Sequence, residues 1–309
     1  MFLTERRIVL QPVVKGYLAV LVAAFFWGSQ GIIGKKVMLD GFDPLVLAAY
    51  RMTFTFLILL ASILIFQPHN LKIKGKDIPF FLLFGLVGVA LFHACFNYAI
   101  YYAGVSIAVM LLYTAPAFVA IISAIFLKEP LTRNKIVAIT LTIIGCIAIS
   151  WANGDDINFN MLGLLFGLLT GLSYALWNVM CKKAVSKYSP LTINLYSVGA
   201  GSLILLLISS TQQVQAIQWD SQTVLVIAFM ALANTVLPDS FFAYSMKFLE
   251  ASTASVLANA ELLIAIILAS ILYHEPLTGF KLLGFLTIVT AIGLLVWEDF
   301  KSDKTAQVE

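Results

Sequence analysis

Ten apolar runs of about twenty residues, parted by short charged or turn-forming segments, limit what this chain can fold into. A helix rises about 1.5 Å per residue and the hydrocarbon core of a bilayer is roughly 30 Å thick, so about 20 apolar residues make one crossing. Read this way, the sequence predicts spans at 16–37, 44–66, 79–101, 104–127 and 134–151, then at 161–182, 190–210, 222–245, 251–273 and 279–298. These spans use up most of the 309 residues. Only 11% of the side chains are charged, where a soluble domain carries roughly 25%, so water is not the main solvent. Arg6, Arg7 and Lys15 precede the first run, as in a secretory leader. That run is longer than a leader's apolar core and nine more follow, so it reads as a retained helix.

The distribution of charge orients the chain, because Lys and Arg accumulate in short cytoplasmic loops. With the N terminus inside, fifteen basic residues fall on the inner side: Arg6, Arg7, Lys15, Lys72, Lys74, Lys76, Lys128, Arg133, Lys135, Lys182, Lys183, Lys187, Lys247, Lys301 and Lys304. Only Lys35, Lys36 and Lys281 fall outside, and Arg51 lies within the second span. Both termini of this multi-pass cell-membrane protein are therefore expected in the cytoplasm. Cys95, Cys146 and Cys181 stand singly, without the spacing of a zinc site or a disulfide framework.

The two halves repeat. Glu129-Pro130-Leu131-Thr132 closes the fourth span and Glu275-Pro276-Leu277-Thr278 the ninth, an offset of 146. At that offset Pro44, Tyr50 and Tyr98 fall on Pro190, Tyr196 and Tyr244; at 147, Gly16, Trp27 and Lys35-Lys36 fall on Gly163, Tyr174 and Lys182-Lys183. Glu-Pro at these places reads as a helix stop and restart, since proline disfavours helix in the residue before it and suits the first turn after it. Five spans per half is an odd number, so the second half enters the bilayer from the opposite side. The fold expected is an all-α integral membrane protein of ten transmembrane helices in two inverted repeats. The first repeat is 1–152, a linker 153–160, the second repeat 161–298 and a cytoplasmic tail 299–309.

Paired five-helix units, each carrying Glu-Pro-Leu-Thr, resemble the EamA-type transporters of the drug/metabolite transporter superfamily, over nearly the whole chain. The resemblance implies ten helices around a central cavity and the movement of amino acids, other metabolites or drugs. Family members often carry Glu-Pro in the ninth span. Here that place holds Glu261-Leu262, while Pro116 keeps the proline in the fourth span, which leaves the ninth without its kink-forming residue.

Polar groups inside a bilayer cost a few kcal/mol each on insertion scales, so they face a cavity or a partner. His93 and Asp239 are related by the offset of 146 and so share a depth, which makes them a candidate proton- or charge-coupling pair. Glu261, among Ala254, Ala258 and Ala265, is the third such candidate. For all three the competing reading is a buried group that joins helices. Trp27 and Gln30 share a face of the first span, as Tyr174, Trp177 and Asn178 do on the sixth. His93 and Asn97, with Tyr98, Tyr113, Tyr244 and Asn259, complete an amphipathic substrate-binding lining. Pro116 and Pro238 within spans, and Glu129, Pro130, Glu275 and Pro276 at span ends, read as structural. The ridge Gly163, Gly167 and Gly171 reads as helix packing.

No His-Glu-x-x-His, Gly-x-Ser-x-Gly or phosphate-cradling glycine loop occurs, so an enzyme is not expected, nor any cofactor, metal or nucleic-acid partner. Inverted repeats favour alternating access about one midplane site over a channel. The sequence thus points to a secondary transporter that exports small amphipathic metabolites such as amino acids, with proton linkage as an option. The alternatives are multidrug or amine efflux, metabolite import and a non-transport membrane protein. A monomer suffices for the site, and a dimer is compatible with it.

Overall fold

The computed structural model describes residues 2–38, 43–152, 160–210, 221–274, 276 and 278–305. The described residues form helices α1 (Phe2–Met38), α2 (Pro44–Phe66), α3 (Ile78–Phe84), α4 (Leu91–Leu112), α5 (Ala115–Phe126) and α6 (Arg133–Ala152) in the first half. The second half holds α7 (Met161–Ala184), α8 (Pro190–Ser209), α9 (Ser221–Ala231), α10 (Leu237–Ser245), α11 (Ala251–Ala258), α12 (Ala260–Tyr273) and α13 (Gly279–Thr305). Among the described residues, nine stretches are long and apolar enough to cross a membrane, and Ala115–Phe126 is a shorter apolar helix. The longest stretch, Gly75–Leu112, is divided at Gly104 (φ 83, ψ 166), a backbone open to glycine and strained for other residues. Divided there, the described helices make ten crossings: the third span ends at Gly104, and the fourth runs through the end of α4 into α5.

The local geometry repeats as the sequence does. Asp43 caps α2 by accepting from the N–H groups of Leu45 (2.9 Å) and Val46 (3.1 Å), with Pro44 in its first turn. Ser189, 146 residues on, caps α8 through the N–H of Thr192 (3.2 Å), with Pro190 in its first turn. The third span contains a π-helical turn at Gly85–Ala90 and the eighth one at Leu232–Val236. The fourth span breaks at Tyr113 and the ninth at Asn259, again 146 apart. The helices before the two Glu-Pro sites end in left-handed residues at the same interval, Lys128 (φ 60) and His274 (φ 53).

Packing has the matching pseudo-two-fold relation. α1 lies against α10, α11 and α12, and α7 lies in the related way against α4 and α5, while α2 pairs with α8 and α6 with α13. Close approach depends on glycine. A Cβ at Gly284 would sit 2.5 Å from the Gly145 carbonyl where α6 and α13 cross. The expected ridge of Gly163, Gly167 and Gly171 packs on Ala103 and Leu111 of α4. Large apolar side chains such as Leu57, Ile65, Leu203 and Leu207 stay exposed on the outer faces, as a lipid-facing surface requires. Trp151 and Trp297, at span ends, are exposed, as suits aromatic rings at a membrane interface.

Candidate functional site

The broken spans bring the first group together. Because the ninth span stops at Asn259 and restarts with Ala260, Glu261 stands in the first turn of α12, where the helix dipole favours a carboxylate. Tyr113, at the matching break in the fourth span, donates its hydroxyl to Glu261 Oε1 at 2.7 Å. Gly28 lets α1 approach here, since a Cβ on it would lie 2.5 Å from the Glu261 carbonyl oxygen. The break in the fourth span precedes Pro116, in the first turn of α5. The ninth span breaks without a proline: Leu262, the residue in its place, gives its N–H to the Asn259 carbonyl at 3.1 Å.

The second group is built by the π-helical turn before α10. Pro238 follows that turn, and Asp239 occupies the first turn of α10. The indole of Trp27 is placed to hydrogen-bond the Asp239 carboxylate. Arg51, from α2, lies within electrostatic reach of both Asp239 and His93. The two residues related by the repeat are thus connected through a third: no hydrogen bond joins His93 to Asp239 among the described residues. Asn97 donates to the carbonyl of His93 at 2.7 Å. Arg51 is the residue that sequence reading passed over. Its signal was present, as an arginine several residues inside a predicted span, but it has no charged counterpart in the second half, where position 197 is Ser197.

Aromatic rings connect the two groups. Trp27 packs on Phe242 (5.3 Å between centroids), Phe242 on Trp177 (5.5 Å), Trp177 on Tyr174 (6.1 Å, nearly parallel) and Tyr174 on Phe92 (6.0 Å). Tyr174 is within electrostatic reach of both Asp239 and Glu261. Trp27, Gln30, Arg51, His93, Asn97, Tyr113, Tyr174, Asp239 and Glu261 are all half-buried. Arg51, His93, Asp239 and Glu261 are nonetheless enclosed by protein. Side chains deep in the bundle that retain accessible surface are the ones a ligand can reach.

Other predicted residues lie deeper or elsewhere. Asn178 is fully buried and donates to the Tyr174 carbonyl at 2.7 Å; Asn259 is buried and donates to the Ser255 carbonyl at 3.3 Å. Tyr98 stacks on Phe166 (5.1 Å), and Tyr244 carries the Lys247 ammonium over its ring. No described contact links either tyrosine to the acidic groups.

The residues read as structural form a seam at the basic end of the bundle. Glu129 is buried and caps α11, accepting from the N–H of Ala251 (2.7 Å), the N–H of Ser252 (3.2 Å) and the hydroxyl of Ser252 (2.8 Å). Lys135 donates to the Pro130 carbonyl (3.0 Å) and forms an ion pair with Glu250. Lys182 donates to the carbonyls of Met246 (2.7 Å) and Leu249 (2.6 Å). The Glu129 contacts and the Lys135–Glu250 ion pair join one half of the chain to the other, Lys182 closes the loop between spans eight and nine, and the Lys135–Pro130 bond closes the loop between spans four and five. Pro276 is exposed, and Glu275 lies outside the described residues.

Residues 14–151 and 161–297 each match the model of the EamA-like transporter family. An uncharacterized transporter from Archaeoglobus fulgidus is 26% identical over 282 residues, covering 89% of this chain and 99% of its own. The uncharacterized transporter YvbV of Bacillus subtilis is 26% identical over 298 residues, 96% of each chain. A solved crystal structure superposes with a TM-score of 0.77 at 15% identity, over 91% of this chain and 96% of the other, and so shares its fold. The two matched segments are the two five-helix repeats, and the chain belongs to the EamA-like transporter family, within the drug/metabolite transporter superfamily.

Proposed function

We propose that this membrane transporter is a secondary carrier that exports a small amphipathic metabolite, such as an amino acid, by alternating access, with proton exchange at its interior carboxylates. The observation that carries the reading is the enclosed polar line from Tyr113 and Glu261 through Tyr174 to Asp239 and Arg51, with an aromatic wall beside it. Charged groups placed at breaks and π-helical turns, where helix interiors open, suit a site that binds and releases a polar ligand. The apolar wall suits the ligand's body. With both termini in the cytoplasm, as the loop charges predict, the seam of Glu129, Lys135 and Lys182 lies on the cytoplasmic side and has to part for substrate to enter from there.

Two interior carboxylates favour a second reading, efflux of an organic cation. Flux into proteoliposomes across a panel of amino acids, amines and sugar phosphates, with and without a pH gradient, separates the readings. Saturable amino-acid flux that loses its pH dependence in Asp239→Asn supports a proton-linked carrier. Unchanged coupling in that variant removes Asp239 from the coupling role, and absence of flux for every class removes the transport reading.

A further inference from the structure

A guanidinium inside a membrane bundle is costly to bury and is retained where it has a partner or a ligand. Arg51 has neither in full. Its Nε is buried with no hydrogen-bond partner, and among the described residues no carboxylate oxygen lies within the 4.0 Å of an ion pair with it. Asp239 is on a facing helix, close enough to act on Arg51 electrostatically yet not paired with it. Opposite charges that face each other beyond ion-pair distance leave a gap with a dipole across it. A group that is negative at one end and positive at the other, inserted head to tail, satisfies both.

We propose that Arg51 is the carboxylate anchor of the internal site. The substrate is then a zwitterion, its carboxylate on the Arg51 guanidinium, its ammonium on Asp239 and its apolar side chain along Trp27, Phe242, Trp177 and Tyr174. This inference rests on the transport reading and narrows it, because an amine without a carboxylate leaves Arg51 unpaired and repels it. The fork of guanidinium donors matches a carboxylate in a way that an ammonium cannot, so Lys is only a partial substitute. The Trp27 N–H, placed to hydrogen-bond the Asp239 carboxylate, fixes the position of that group.

The test is competition in proteoliposomes that carry the purified full-length chain. Phenylalanine, phenethylamine and 3-phenylpropionate share one ring and differ only in which charges they carry. The expected result is that phenylalanine competes for uptake of labelled phenylalanine at least 10-fold better than either single-charge analogue. Arg51→Gln is expected to raise the apparent KM roughly 10- to 100-fold, the worth of one charge-assisted carboxylate contact. Arg51→Lys is expected to fall between Arg51→Gln and wild type. Because the comparison of analogues uses wild-type protein, it stands even where Arg51→Gln fails to fold. Phenethylamine carried as well as phenylalanine overturns the anchor and leaves transport intact, as does an unchanged KM in Arg51→Gln. Equal competition by 3-phenylpropionate overturns the zwitterion. Sugar phosphates or other classes carried with no flux of any zwitterion overturn the inference alone, and no flux of any class overturns the transport reading with it.

Discussion

Glu129 is the place where a single side chain holds the two repeats together, and its removal has a size that can be worked out. Its carboxylate accepts from Ala251 N–H at 2.7 Å, Ser252 N–H at 3.2 Å and Ser252 Oγ at 2.8 Å, in a site where the residue is only 9% exposed. Hydrogen bonds to charged groups contribute about 1.5–3 kcal/mol each, and loss of a helix cap alone costs about 0.5–2 kcal/mol. The three contacts are not additive, since they share one acceptor group and one helix end. Glu129→Ala is therefore expected to cost about 3 kcal/mol. Glu129→Gln keeps one carbonyl acceptor but turns an amide donor toward the donors of Ser252, and is expected to cost about half of that. The assay is denaturant-induced unfolding in a mild detergent, with Ser252→Ala completing a double-mutant cycle expected to give about 1 kcal/mol of coupling. Glu129→Ala within about 0.5 kcal/mol of wild type, or a cycle with no coupling, refutes the cap. The same variants loosen the basic end, so a cysteine placed at Gln30 is expected to react faster with a membrane-impermeant thiol reagent added from that side.

Two further perturbations test how the site is built. Gly28→Leu forces a Cβ to within 2.5 Å of the Glu261 carbonyl, backbone that cannot turn aside, so yield of folded protein and melting temperature both fall sharply; Gly75→Ala, with nothing within 4 Å, is expected to stay within about 0.5 kcal/mol of wild type. Pro116→Ala is expected to leave the break at Tyr113 in place. Hydrogen exchange across 113–117 then remains fast relative to the flanking turns, and a newly protected, continuous helix there refutes the claim that the break belongs to the fold.

That last expectation also explains which parts could be read from the sequence. Span number, the inverted repeat and the Glu-Pro sites followed from apolar run length and from an offset of 146, because both are long, redundant patterns. The breaks did not follow from proline. Pro116 marks one in the fourth span and Pro238 follows a π-helical turn in the eighth, yet the ninth span breaks at Asn259 before Leu262, and the third carries its π-helical turn before Phe92. Proline fills positions whose geometry is set by packing between the halves, where a missing N–H costs little. Local composition therefore points to two of the four distortions, while those in the third and ninth spans carry no proline and were not expected from the sequence. The site was subject to the same limit in reverse. His93 and Asp239 are paired as candidates because the repeat relates them and gives them one depth. Arg51, a residue from α2 whose counterpart is Ser197, lies within electrostatic reach of both, and the repeat gave no hint of it. A transported molecule has no two-fold symmetry, and the side chains that read it have to depart from the repeat. In an inverted-repeat carrier, residues that obey the repeat therefore report the scaffold. The charged residues inside spans that break it, here Arg51 opposite Ser197 and Glu261 opposite Ala115, are the ones to test first for contact with substrate.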